Sequence, residues 1–464
     1  MATQVAATYS PDYQCIRLKS VFPAFADPEE PQGFQTPHQT GFFIHEWLHY
    51  LHNNSTIHGV TAYSHAVILW SNVRAIIDHN GLCIGDDHLP IQDFADIRKQ
   101  YKHRLDSRAA QNNKIEASLR LDDLDFISCK KDTAYIEGDE NYPSTKLLCD
   151  VVSKVDDKVF KIKIGCHEIV EYIAFALESR FLRNLKELPL SAPIDPYLLI
   201  NGLATLISPT LERETILRCA IFSLQLPDPP SYLAGLLDWS ERNKCEQKDP
   251  DIEITKKASD HFKTNTHVMN DQIDMIENML PLDSPFARAV KHAANLMKKN
   301  YLYRIDNPFF EIDLVNEFSR LGGAAINAAM DKHGVGFLIQ EREGPDDKFM
   351  RDLMFDISLP HKLDADITYG RRVAQAAFSY VLEFFKVEND KIKQPVRMRC
   401  PFFTSCDSEY RRDNPSICST APWESRKLEQ SKICYFGEAV INTKQPPSCE
   451  EGDQEKESKD DSCN

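Results

Sequence analysis

No run of residues in this chain reaches the roughly 20 apolar positions that a bilayer-spanning helix requires. The opening "MATQVAATYSPDYQCIRL" has neither the basic nor the apolar region of a secretory leader, so the expectation is a soluble, cytoplasmic protein with no membrane partner. A basic stripe is missing too. Without one, phosphates cannot be neutralised in a sequence-independent way, and nucleic acid is not expected as a partner. No internal repeat is evident. No pair of cysteines stands at C-x-x-C spacing, and the thirteen cysteines are an odd number, which argues for reduced thiols or metal ligands rather than a disulfide framework.

What is present is an ordinary globular composition, 42% hydrophobic and 27% charged over 464 residues, enough for a large core and more than one domain. The formal net charge is −16, but the last stretch, "CEEGDQEKESKDDSCN", holds seven acidic residues against two lysines, so the rest is only moderately acidic.

Along the chain, "YQCIRLKSVFPAF" reads as a strand or two, followed by the proline-rich "ADPEEPQGFQTP". A helical pattern runs from Thr40 to about His79 in two pieces, broken near "NNST" and Gly59. Residues 81–150 read as a polar insertion with one helix at "IQDFADIRKQYKHRL" and a loop at "YIEGDENYPST". "LCDVVSKVDDKVFKIKIG" alternates about an Asp-Asp turn and predicts a hairpin. Helices then dominate to about residue 395, with a cysteine-bearing segment at 396–442 and a tail at 443–464 expected to be disordered for want of anything to bury. Trp423 and "RKLEQSKICYFGEAV" suggest that the cysteine-bearing segment docks on the body of the protein.

The densest chemistry lies in "FFIHEWLHYLHNNSTIHG", residues 42–59, which holds four of the fifteen histidines. Within it His45-Glu46-Trp47-Leu48-His49 is an H-E-x-x-H motif. On a helix, two histidines four apart reach one zinc ion from the same face, with the glutamate beside the open coordination position. A chance match somewhere in such a chain has a probability of roughly a few per cent. At about 100° per residue, Phe43, Trp47, Leu51, Ile44 and Leu48 fill one apolar arc, and His52, His45 and His49 fill the adjoining one. The helix "FFIHEWLHYLH" thus resembles the active-site helix of zincin-type zinc metallopeptidases. The alternative is a core helix whose histidines are satisfied by hydrogen bonds. His52 shares the imidazole face but lies about 10 Å along the axis from His45, too far for one ion, and reads as a residue supporting the ligands or lining the cleft. The metzincin continuation is absent, since His52 and Ser55 stand where Gly and a His or Asp would be.

The resemblance implies a third ligand from a second helix, as in the glutamate-ligand zincins, and "GCHEIVEYIAFALESR" is the candidate. It places Ile169, Ala176, Ile173, Leu177 and Val170 on an apolar face and His167, Glu171, Ala174 and Glu178 on its neighbour. Glu171 is expected as ligand, with Glu178 or His167 orienting an imidazole. "VEYIAF" departs from the Asn-Glu-x-x-Ser-Asp signature of that group. His58, His65 and the Asp366 of "DITYG" are competitors. The resemblance further implies a Zn2+ cofactor, Glu46 as general base, and hydrolysis of a protein or peptide substrate; His167 and Tyr172 are candidate oxyanion donors.

Cys400, Cys406, Cys418 and Cys434 could hold a structural zinc or an iron-sulfur cluster, or act independently. The expected architecture is α+β and mainly helical: a zincin-like core from 1–80 (strands and H-E-x-x-H helix) and 151–200 (hairpin and glutamate helix), then a helical domain at 201–395. Two other functions fit the sequence, a non-catalytic interaction or regulatory protein with structural or no metal, and a zinc amidohydrolase acting on a small amide.

Overall fold

The computed structural model describes residues 6–19, 34, 36–85, 91–136, 139–226, 228–280, 284–340, 353–355, 365–385, 392–406, 408–429 and 432–444. The fold is mainly helical with two small sheets. Of the proline-rich approach to the histidine stretch only Phe34, Thr36 and Pro37 are among the described residues, and of the tail expected from 443 only Thr443, which ends the last helix, and Lys444. Among the described residues no helix is long and apolar enough to cross a membrane. The chain divides into two units, one of Met1–His65, Lys99–Asn278 and Lys291–Leu363, the other of Ala66–Arg98, Met279–Val290 and Asp364–Asn464.

In the first unit, β1 (Ala7–Ser10) and β2 (Cys15–Leu18) precede α1 (Pro37–Ser55); α2 (Ile57–Val73) follows, its residues from Ala66 on belonging to the second unit. Helix α1 starts where the sequence supplies a cap and a proline: Thr36 accepts a hydrogen bond from the Gln39 N–H, and Pro37 occupies the first turn, where its missing N–H costs nothing. Its expected apolar face is the core, with Phe43, Ile44, Trp47, Leu48 and Leu51 all no more than 2% exposed. It ends at Thr56, whose hydroxyl bonds back to His52 O and accepts the Gly59 N–H that opens α2. The break is sharp because Gly59 has no side chain: a Cβ there would lie 2.4 Å from the Asn53 backbone.

After α3 (Ile91–Arg108) comes an antiparallel sheet, β3 (Leu124–Ile136), β4 (Asp139–Ser153) and β5 (Val159–Ile164). The β4–β5 hairpin is the one expected, pairing Leu147 with Ile164 through Val152 with Val159. The described residues of the loop expected at "YIEGDENYPST" are instead strand, paired from Leu124–Ser153 out to Ile136–Asp139 with irregularities at Phe126/Ser128 and Ala134/Ile136. Cross-strand pairing, including a Thr133–Thr145 hydroxyl bond of 2.8 Å, carries the ladder through residues of poor strand propensity.

Helix α4 (Cys166–Asn184) starts at Gly165, whose N–H donates to Glu168 Oε2 at 2.8 Å, and packs on α1. Then follow α5 (Ile194–Tyr197), α6 (Leu199–Ile207), α7 (Arg213–Ser223), α8 (Pro229–Cys245), α9 (Pro250–Thr264), α10 (Thr266–Asn278), α11 (Pro285–Asp306), α12 (Phe310–Leu321) and α13 (Gly323–His333). The helical run is interrupted by β6 (Phe337–Gln340) and β7 (Leu353–Phe355), which sequence reading did not anticipate. Strand β6 pairs parallel with β2, giving a sheet of order β1-β2-β6-β7 with β1 on its edge.

The second unit is built on α14 (Ala365–Phe384), with α15 (Glu409–Asp413), α16 (Pro415–Thr420) and α17 (Tyr435–Thr443). The cysteine-bearing segment is docked as expected, with α17 and a short helical turn at Pro422–Lys427 against α14 and one another. Phe286, Phe378, Tyr380 and Phe436 are buried there, and Trp70 Nε1 donates to Thr443 Oγ1 at 3.1 Å.

Candidate metal centre

Among the described residues, His45, His49 and Glu171 are the one group of three or more potential ligands whose donor atoms all lie within 4.8 Å of one another. The helical period puts both imidazoles on one face of α1, where their ring centroids are 4.9 Å apart. The packing of α4 on α1 delivers the carboxylate from 126 residues away: His45 Nε2 is 3.3 Å from Glu171 Oε2, and His49 Nε2 is 3.4 Å from Glu171 Oε1. Two atoms each about 2.05 Å from a tetrahedral zinc stand roughly 3.3 Å apart, so these spacings suit shared ligation.

They also suit ion pairs between imidazolium and carboxylate, and the second nitrogen of His45 bears on the choice. His45 Nδ1 lies 2.9 Å from Glu178 Oε2. With Nδ1–H donating to Glu178, a neutral ring presents a lone pair at Nε2 toward Glu171, which repels unless a proton or a metal cation lies between them. Electrostatics say the same. Burial pulls the His45 pKa down, but Glu171 and Glu178 outweigh it and hold it well above its ordinary value. Burial likewise favours the neutral form of Glu171, and the two imidazoles reverse this, holding the carboxyl well below the usual range. The site is organised around positive charge between the rings and the carboxylate.

Glu46 is 8% exposed, and among the described residues nothing hydrogen-bonds its carboxylate. Burial raises its pKa, with His45 and His49 opposing. It faces a cavity of about 530 Å³ whose wall also includes His45, His49, Glu171 and His167. Across from them β1 contributes Tyr9, which stacks on His49 at 6.4 Å and 17° and donates its hydroxyl to Asn53.

The other expected residues separate. His167 lines the cavity, but Tyr172, the second candidate oxyanion donor, is 3% exposed and does not line it. Tyr197 stands there instead, its ring 6.0 Å from that of His45. Nothing in "IDPY" distinguished it in the sequence. His58 reaches the cavity wall, but neither it nor His65 belongs to the converging group, and Asp366 pairs with Arg288 in the second unit. His52 also reaches the wall, but its Nε2 bonds Glu311 Oε1 at 3.1 Å. Glu311 in turn takes both oxygens to Arg304 at 3.0 Å, and all three are buried. Burial lowers the His52 pKa despite that carboxylate. This network was not read from sequence; "EIDLVNEF" looks like any amphipathic helix. Cys400, Cys406, Cys418 and Cys434 line a separate small cavity in the second unit.

No protein-family model matches the chain, and no curated protein or solved structure shows a significant match to it.

Proposed function

We propose that the chain is a zinc-dependent metallopeptidase of the zincin type, with a zincin-like core made by α1, α4 and the β1–β2 edge of the small sheet. His45, His49 and Glu171 are its ligands, and Glu178 holds His45 in the tautomer that turns Nε2 to the metal. The observation that carries the proposal is the pairing of three converging ligand groups within 4.8 Å with a buried glutamate that has no hydrogen-bond partner among the described residues, in one cavity.

A zinc ion bound there supplies Lewis acidity, polarising a carbonyl and lowering the pKa of water. Glu46 takes the proton from the attacking water and passes it to the leaving amine, a role that burial favours by raising its proton affinity. Tyr197 and His167 are placed to donate to a developing oxyanion. The proposed substrate is a peptide or protein rather than nucleic acid or membrane lipid. The free cysteines among the described residues fit a reducing compartment, so the proposal extends to the cytoplasm.

One observation favours a second reading. Each ligand already has an ionic partner, as in a metal-free interaction protein held by buried ion pairs. Metal analysis of the purified chain, with hydrolysis of a peptide library, decides between them. The proposal expects zinc that is lost in His45→Ala, and cleavage that is lost in Glu46→Gln while zinc stays. No zinc dependent on His45 would overturn it, and zinc-dependent turnover of small amides without peptide cleavage would make it an amidohydrolase.

A further inference from the structure

The first unit's site leaves the four late cysteines unexplained. Cys400 and Cys406 from one turn, Cys418 from α16 and Cys434 from the start of α17 all line one cavity of only about 20 Å³. The backbone is arranged to bring them there. Cys400 N–H donates to Cys418 O at 2.9 Å, and a tight turn follows in which Phe403 N–H donates to Cys400 O and Cys406 N–H to Phe402 O. Cys434 caps α17, its Sγ accepting the Gly437 N–H at 3.5 Å.

We propose that these four cysteines bind a structural zinc ion that closes the segment between Cys400 and Cys434. The inference is independent of the peptidase reading.

Three features support it. First, the Cys434 sulfur accepts the Gly437 backbone N–H at the start of α17, an arrangement that suits thiolate better than thiol. Second, the backbone bond from Cys400 N–H to Cys418 O sets those two cysteines side by side on the cavity that Cys406 and Cys434 also line. Four neutral thiols lining one small cavity satisfy little, whereas a dication bound there deprotonates them and is held by them. Third, α15 and α16, which lie between Cys406 and Cys434, are only five and six residues long and bury no side chain but Cys418. Short elements without a core of their own commonly rely on a metal or disulfide.

The space selects the ion. About 20 Å³ accommodates one water-sized body, which suits a single tetrahedral cation rather than an iron-sulfur cubane. Four thiolates around Zn2+ leave two net negative charges, and Arg411 lines the same cavity. The sulfurs do not stand as close as the ligand atoms of the histidine site. Rotation about a Cα–Cβ bond swings Sγ by about 3 Å between rotamers, and the proposal requires such inward rotation on binding.

The test is zinc content of the full-length chain and its variants. His45→Ala should still carry one zinc per chain, Cys400→Ser and Cys434→Ser should each lose it, and Cys245→Ser, at an exposed position, should not. Zinc unchanged in both serine variants would overturn the proposal, as would iron with inorganic sulfide in the wild-type protein. Should the serine variants fail to fold, cobalt exchange of the wild type reads the same site. Intense near-ultraviolet thiolate-to-cobalt charge transfer is expected, and its absence would also overturn the proposal. Because the histidine site is emptied by His45→Ala, failure of one site is distinguishable from failure of the other.

Discussion

His49 and His52 lie on one face of one helix, and packing gives them opposite tasks. His45 and His49 meet Glu171 at the edge of a 530 Å³ cavity, with Glu46 beside them and without a hydrogen-bond partner among the described residues. His52 meets Glu311, whose charge Arg304 already balances, in a network with no exposed charged group. The first arrangement can still take up a cation; the second has its own. On the proposed reading, identical residues on one helix face serve as ligand or strut according to whether the opposing carboxylate is already neutralised.

The sharpest way to break this comparison is at the two glutamates. Glu46→Gln should cost up to about 10⁴-fold in turnover, roughly 5 kcal/mol at the transition state, with stability and zinc content near wild type. Peptide hydrolysis beside metal analysis checks it, and undiminished turnover would remove Glu46 from the chemistry. Glu311→Ala should do the reverse. It strands Arg304 in the interior and should destabilise the fold by about 3–5 kcal/mol in urea denaturation, while the protein that remains folded binds zinc. If Glu311→Ala instead lost zinc with unchanged stability, the division between the two histidine roles would be wrong.

A smaller effect is expected at Glu178. Glu178→Gln keeps an acceptor near His45 Nδ1 but removes the charge, and zinc affinity should fall about 10–100-fold in a chelator competition. Smallest is the response to mild acid. His333 packs on Phe310 with its Nδ1 against Asn300, and burial, with Lys332 and Arg304 nearby, lowers its pKa to about 3. The unfolded chain therefore binds a proton more readily, so stability from neutral His333 is complete above pH 6.5 and is lost progressively as pH falls toward 3. At pH 5.5 the loss should be on the order of 1 kcal/mol, visible in urea midpoints and absent in His333→Phe. Glu311, held at about 2 by Arg304 and His52 against burial, should contribute none of that loss, its own share disappearing only between about pH 4.5 and 2.

The helices were legible wherever one helix decided its own pattern. The apolar stripe of α1, the break at Thr56 and the shared face of Glu171 and Glu178 follow from a period of 3.6 residues and from turn chemistry. The strands were legible at β2, within the stretch read as a strand or two, and at β4–β5, where alternation was clean. Strand β6 is four residues, all buried, and pairs with β2 from the other end of the chain; so short an apolar run looks the same in a helix. The outer β3–β4 pairing was hidden because Asp139, Asn141 and Pro143 signal a turn locally, while a ladder begun elsewhere holds them extended.

By itself the sequence determined that two imidazoles lie one turn apart and that two carboxylates share a face of a later helix, since helical geometry is set by near neighbours. Only the tertiary structure decided that Glu171 reaches both rings, that Glu178 takes the back of His45, and that Glu311 and Arg304 claim His52. Those pairings depend on how α4, α11 and α12 pack against α1, which no local period encodes.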